Sequence, residues 1–221
     1  MINSELDNFA YIASHDLKSP LRGIDQLAKW IQEDSAEELS EESCVNLNKL
    51  QGRIRTMETL LNDLLEYSRI GRITGECEQT DTGAMLKEIS ELIDNPEKIQ
   101  ITIAPDMPVL NTFRTPLRHV FLNLITNAVK HHDHPETGEI NIDYRELPDF
   151  YEFSVKDNGP GIDPKHHDRI FQMYQRVGNT TAEGSGMGLA IIKKQIETLG
   201  GTISVESAEK QNTIFHFTWS K

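Results

Sequence analysis

The chemistry-bearing residues of this chain fall into four short stretches. The first is YIASHDLKSPLRG, Tyr11 to Gly23, with His15 near its centre. An unperturbed imidazole titrates near about 6.5, so at neutral pH most of it is uncharged and nucleophilic. Asp16 can accept a hydrogen bond from one ring nitrogen and leave the other to attack. Ser19 lies one helical turn on, and Pro20 removes a backbone donor and should bend or loosen the helix. The second stretch is Asp157-Asn158-Gly159-Pro160-Gly161-Ile162 at the end of a strand. A buried carboxylate there suits the exocyclic amine of adenine, and the glycines let a flat ring approach the backbone. Guanine would present a carbonyl oxygen that a carboxylate repels. The third is Gly184-Ser185-Gly186-Met187-Gly188-Leu189, whose free backbone donors at a helix start suit a phosphate. It keeps neither P-loop nor Rossmann spacing. The fourth is Asn123, Asn127 and Lys130, which share a helix face at spacings of four and three. An amide oxygen suits Mg²⁺ and a lysine suits phosphate.

Each stretch has a plainer reading. His15 with Asp16 can be a surface histidine beside an acid, the Asp157 stretch an ordinary turn, the third a flexible loop, and the fourth a solvated face. Two asparagines inside a helix nevertheless work against propensity and ask for a reason.

The elements that must position these groups follow from apolar spacing. Leu6, Phe9, Ala13, Leu17, Leu21, Ile24, Leu27 and Ile31 recur three and four apart, predicting one helix from about Ile2 to Asp34. At about 100° per residue, His15 points roughly opposite that stripe. Ser40 followed by Glu41 and Glu42 predicts a capped second helix running nearly to Arg69. Its seam is Leu47, Leu50, Ile54, Met57, Leu61, Leu64 and Ser68. Two such helices make an antiparallel hairpin, and two copies of a hairpin with a half-wet stripe close into a four-helix bundle. Homodimerisation through residues 1–70 is therefore expected. Gly71, Thr74 and Gly75 mark a linker. Beyond it helices are predicted over Met85–Ile93, Thr115–His131 and Gly186–Leu199, with Thr115 as cap and Pro116 in the first position. Strands are predicted over Ile99–Ile103, Glu139–Arg145, Phe150–Lys156, Thr202–Glu206 and Thr213–Trp219. The mixture implies an α+β layer, one sheet with helices on one face.

Composition narrows the classes. A net charge of −13 over 221 residues disfavours non-specific nucleic-acid binding, so a polyphosphate must be held by a local site. Cys44 and Cys77 show no metal or disulfide spacing and suit a reducing, cytoplasmic compartment. No apolar run is long enough to span a membrane. The helical pattern is already under way near Met1, so an upstream sensor domain is expected. The histidines at 131, 132, 134, 166 and 167 lack ligand spacing for a specific metal site, and His119 and His216 read as structural.

Taken together, the stretches resemble the sensor histidine kinases of two-component systems. SHDLKSPL around His15 is similar to their H-box and Asn123–Lys130 to the N-box. Asp157–Ile162 is similar to the G1 box, IFQMYQR from Ile170 to Arg176 to the F-box, and Gly184–Leu189 to the G2 box, in the family's order. The H-box wording and the ending FHFTW look more loosely phytochrome-like. The resemblance implies a dimerisation and histidine phosphotransfer domain at 1–70, a linker at 71–79 and a catalytic ATP-binding domain at 80–221. The latter would be an α+β sandwich of the Hsp90, MutL and gyrase type. It further implies His15 as phospho-acceptor, Asp16 as its acid-base partner and Asn127 as the Mg²⁺ ligand with Asn123 nearby. Lys130 would contact phosphate, Asp157 would bind adenine beside Gly159 and Gly161, and Gly184, Gly186 and Gly188 would border the ATP lid. Arg176 would steady the transferring phosphoryl group. The phosphoryl group would pass to an aspartate of a response-regulator receiver domain. Ser19 stands where the family usually has Thr or Asn, the position linked to dephosphorylating the regulator. Rival readings are an ATP-hydrolysing clamp and a non-catalytic dimeric scaffold. A Ser/Thr-type kinase lacks its Val-Ala-Ile-Lys, His-Arg-Asp and Asp-Phe-Gly signatures.

Overall fold

The computed structural model describes residues 2–35, 38–71, 76–95, 98–133, 135–175, 185–209 and 211–221, with 2–15 and 135 by backbone alone. The chain divides into two compact units, a helical hairpin and a mixed sheet with helices.

The hairpin is α1 (Ile2–Asp34) and α2 (Glu41–Arg69). α1 runs unbroken through Pro20. Ser40 starts α2 as its residue type predicts, its Oγ accepting from the Ser43 N–H at 3.2 Å, with Glu41 and Glu42 in the first turn and Arg69 in the last. The helices are antiparallel. Gln32 Nε2 donates to Asn48 Oδ1 at 2.9 Å near the turn, and Arg22 faces Glu58 farther along. Between them Leu21, Ala28, Gln51 and Ile54 are buried. The apolar stripe of α1 is wider than one partner helix can cover. Leu17, Ile24 and Ile31, seven residues apart, remain 51%, 46% and 47% exposed, as do much of Leu27, Leu50 and Met57.

The second unit opens with β1 (Glu78–Asp81), which pairs antiparallel with β3 (Val109–Thr112). This ribbon has no alternating apolar signature and was not legible in the sequence. Asp81 caps α3 (Thr82–Leu92), accepting from the Ala84 N–H at 2.9 Å. The main sheet holds β2 (Gln100–Ile103), β4 (Glu139–Glu146), β5 (Phe150–Asp157), β7 (Thr213–Ser220) and β6 (Ile203–Ser207), side by side in that order. β2 lies parallel to β4 and the other pairs are antiparallel. Alternation sends Phe153, Val155 and Asp157 of β5, with Thr213, Phe215, Phe217 and Trp219 of β7, to the buried face.

That face meets α4 (Arg114–Lys130) and α5 (Gly188–Thr198). Leu117, Val120, Phe121, Leu124, Ile125 and Ala128 form the stripe of α4, and Ile192 and Ile196 serve α5. Phe121 packs edge-on against both Phe153 and Phe217, with centroids 5.2 Å apart in each case. α4 begins one residue before the expected cap. Phe113 occupies the cap position without a side-chain bond, and Thr115 and Pro116 fall inside the first turn. Proline is tolerated there because those N–H groups have no intrahelical partner. α5 begins at Gly188, two residues later than expected, because Gly186 adopts φ +72°, outside helical geometry.

Candidate nucleotide and phospho-acceptor sites

Asp157 closes β5 on the sheet's core face, where it is 8% exposed. Its Oδ1 accepts from the Gly159 N–H at 3.0 Å, and the Thr213 N–H from the neighbouring strand also points at the carboxylate. Burial raises its pKa above the ordinary aspartate value. The Gly159 N–H, the nearby His132 and the Thr213 N–H oppose that shift, and Asp133 adds to it. A carboxylate offers about four acceptor positions, more than these two donors occupy. The group therefore fits an amine-bearing ligand at the rim of an apolar core.

The flanking glycines are sterically required. A Cβ on Gly159 would lie 2.9 Å from Asp157 Oδ1. Gly161 has φ +73°, and a Cβ there would run into the carbonyl oxygens of Ala208 and Gln211. Both strain and overlap oppose any side chain at that position. Gly161→Ala is expected to destabilise the second unit by about 2–4 kcal/mol, read as a lower midpoint in urea unfolding.

Asn158, between Asp157 and Gly159, acts as a tether. Its Oδ1 accepts from the Glu139 N–H at 2.7 Å and its Nδ2 donates to the Thr137 carbonyl at 2.8 Å. His132 Nε2 lies 2.8 Å from the same Oδ1. Because the backbone partners fix which amide atom is oxygen, His132 is the donor. The β5 end is thereby tied to the segment between α4 and β4. Only the polar type of Asn158 hinted at this.

On α4, Asn127 Nδ2 donates to Asn123 Oδ1 at 3.2 Å, which leaves the Asn127 carbonyl oxygen as an acceptor suited to a hard cation. A Cβ on Gly188 would lie 2.6 Å from Asn123 Nδ2, so the first residue of α5 rests directly on this asparagine. Lys130 occupies the last turn of α4 and is exposed. His119 Nδ1 lies 3.2 Å from Gln195 Oε1, joining α4 to α5, as a structural histidine would. Asn123, Asn127 and Gly188 come together, as do Asp157 and Gly159. On the hairpin, Asp16 and Ser19 are exposed on α1. The His15 side chain, Arg176 and Gly184 lie outside the described residues. No helix among the described residues is long and apolar enough to cross a membrane.

The described residues thus form an antiparallel helical hairpin and a sheet layered with helices that carries a glycine-flanked carboxylate at a strand end. Residues 5–73 match the His Kinase A (phospho-acceptor) domain. Residues 113–221 match the histidine kinase-, DNA gyrase B- and HSP90-like ATPase. The chain belongs to the sensor histidine kinases. It is 37% identical over 222 residues to cyanobacterial phytochrome B of Nostoc sp., covering 98% of this chain and 29% of that protein. It is 30% identical over 219 residues to the methanogenesis regulatory histidine kinase FilI of Methanothrix harundinacea, covering 98% and 25%. The chain thus spans between a quarter and a third of these relatives' length. Among solved structures, full-length ShkA in complex with AMPPNP superposes with a TM-score of 0.73 at 26% identity, covering 96% of this chain and 45% of that one.

Proposed function

We propose that this chain uses Mg²⁺-ATP to phosphorylate its own His15 and then passes the phosphoryl group to an aspartate of a response-regulator receiver domain. The observation that carries the acceptor assignment is simple. His15 is the sole histidine within residues 5–73, the segment matched by the phospho-acceptor domain. In the transfer, a His15 ring nitrogen forms an N–P bond while the P–O bond between the β and γ phosphates breaks, and ADP leaves with that electron pair. Asp16 orients the ring and offsets the positive charge that grows on it. Asp157 holds the adenine amine, with Gly159 and Gly161 beside it. Asn123, Asn127 and Lys130 serve the phosphates, Gly184, Gly186 and Gly188 border the lid, and Arg176 steadies the transferring group. Mg²⁺, held through Asn127, would neutralise phosphate charge. The AMPPNP bound by ShkA supports this use of the fold. Incubation with γ-labelled ATP should yield label on the protein that is lost in acid and kept in alkali. Free phosphate with no labelled protein would instead favour the clamp reading.

The domain assignment is 1–70 for dimerisation and phosphotransfer, 71–79 for the linker and 80–221 for catalysis. The chain acts as the output portion of a longer protein bearing a sensor domain. Its two free thiols and its need for ATP suit the cytoplasm. Ser19, exposed one turn past His15, can orient a water for dephosphorylating the regulator. The wet stripe of Leu17, Ile24, Ile31 and Met57 is the surface for a second hairpin. Ile24→Asp is expected to weaken dimerisation at least about a hundredfold, read by sedimentation, because it buries a charge in that seam. The hairpin itself should stay helical, since Ile24 is half exposed within it. A dimer of unchanged affinity would move the interface elsewhere.

A further inference from the structure

We infer that His132 is a positioning residue for nucleotide binding, holding the Asp157–Gly159 corner at a set place relative to the end of α4. This rests on the reading of Asp157 as the adenine-binding group. His132 follows α4, the helix carrying Asn123, Asn127 and Lys130, by two residues. Its ring lies between two glycines. A Cβ on Gly138 would stand 3.1 Å from His132 Cε1, and one on Gly159 would stand 3.6 Å from His132 Cδ2. A side chain at Gly138 would crowd the imidazole, whereas Gly159 lies at ordinary van der Waals distance from it. From that slot Nε2 donates to Asn158 Oδ1 at 2.8 Å, the atom that also accepts from the Glu139 N–H. Asn158 sits between the carboxylate of Asp157 and the N–H of Gly159 that binds it at 3.0 Å. One short hydrogen bond thus joins the residue two past α4 to the residue that lies between Asp157 and Gly159 in the chain. A nucleotide bound by both α4 and Asp157 needs their separation fixed before it arrives, since ordering them on binding would subtract from affinity.

The donor, more than the bulk of the ring, is the active feature. Glutamine places an amide N–H the same number of bonds from Cβ as His Nε2, whereas phenylalanine keeps the ring and loses the donor. The test measures ADP affinity by calorimetry without Mg²⁺, autophosphorylation KM and kcat for ATP, and thermal midpoint. His132→Phe is expected to raise the ADP Kd and the ATP KM about three- to tenfold, the range for one lost neutral hydrogen bond, with kcat within about twofold. His132→Gln should recover most of that affinity. If phenylalanine prevents folding, His132→Ala takes its place in the same comparison. Unchanged ADP affinity in the donor-less variant, failure of glutamine to rescue, or a fall in kcat at constant KM would each overturn the assignment. An Asp157→Asn control separates the two claims. If it keeps full ADP affinity, the adenine reading itself fails. If it loses affinity while His132→Phe does not, only the role of His132 falls.

Discussion

His15→Gln is expected to abolish self-phosphorylation, lowering the rate of label uptake from γ-labelled ATP by at least about a thousandfold, as loss of a nucleophile does elsewhere. A carboxamide nitrogen has its lone pair delocalised into the carbonyl and cannot attack phosphorus at a useful rate. No second histidine lies within residues 5–73 to substitute for it. Glutamine is also a good helix former, so α1 should persist across the substitution. ADP affinity should remain at the parent value, because the residues assigned to nucleotide all lie after Leu122. The decisive measurement is filter-bound label after acid and after alkali. Acid-labile label that persists in the glutamine protein would place the acceptor on another residue.

The second large effect concerns Asp157. Asp157→Asn is expected to raise the Kd for ATP about 10- to 100-fold, the range for a hydrogen bond to a charged acceptor. The substitution also tests the energetic cost of the site. In the folded protein burial holds this carboxyl's pKa above its unfolded value, so at neutral pH its ionised form costs folding free energy. That cost is relieved as pH falls through the raised pKa and vanishes below the unfolded one. The apo asparagine variant should therefore be at least as stable as the parent at neutral pH while binding nucleotide poorly. The same shift gives the pH dependence of binding its sign. An amine donor prefers the ionised carboxylate, so ATP affinity should fall as pH drops through the raised pKa, and bound ATP should pull that pKa back down. Calorimetric titrations from neutral to mildly acidic pH check this. An affinity flat over that range, equal in parent and asparagine variant, would remove Asp157 from the site.

A helix stripe needs only local spacing to be recognised, and so α1, the Ser40 cap of α2 and the alternating strands β4, β5 and β7 were all legible. So were the residue types of the site, because a nucleophilic ring, a carboxylate beside glycines and paired asparagines carry chemistry in their identity. Residue order along the chain therefore determined the elements, the family resemblance and the candidate groups. Tertiary structure alone decided which of those groups meet. The ribbon of β1 with β3 joins segments about thirty residues apart, Glu78 opposite Thr112, and neither strand alternates strongly enough to announce itself. The contact of Gly188 with Asn123 depends on how α5 lies against α4. The donation from His132 to Asn158 depends on a turn that brings the end of α4 beside the end of β5. Side-chain periodicity reports which face is buried, whereas the partner across the core is chosen by the path of the chain through space.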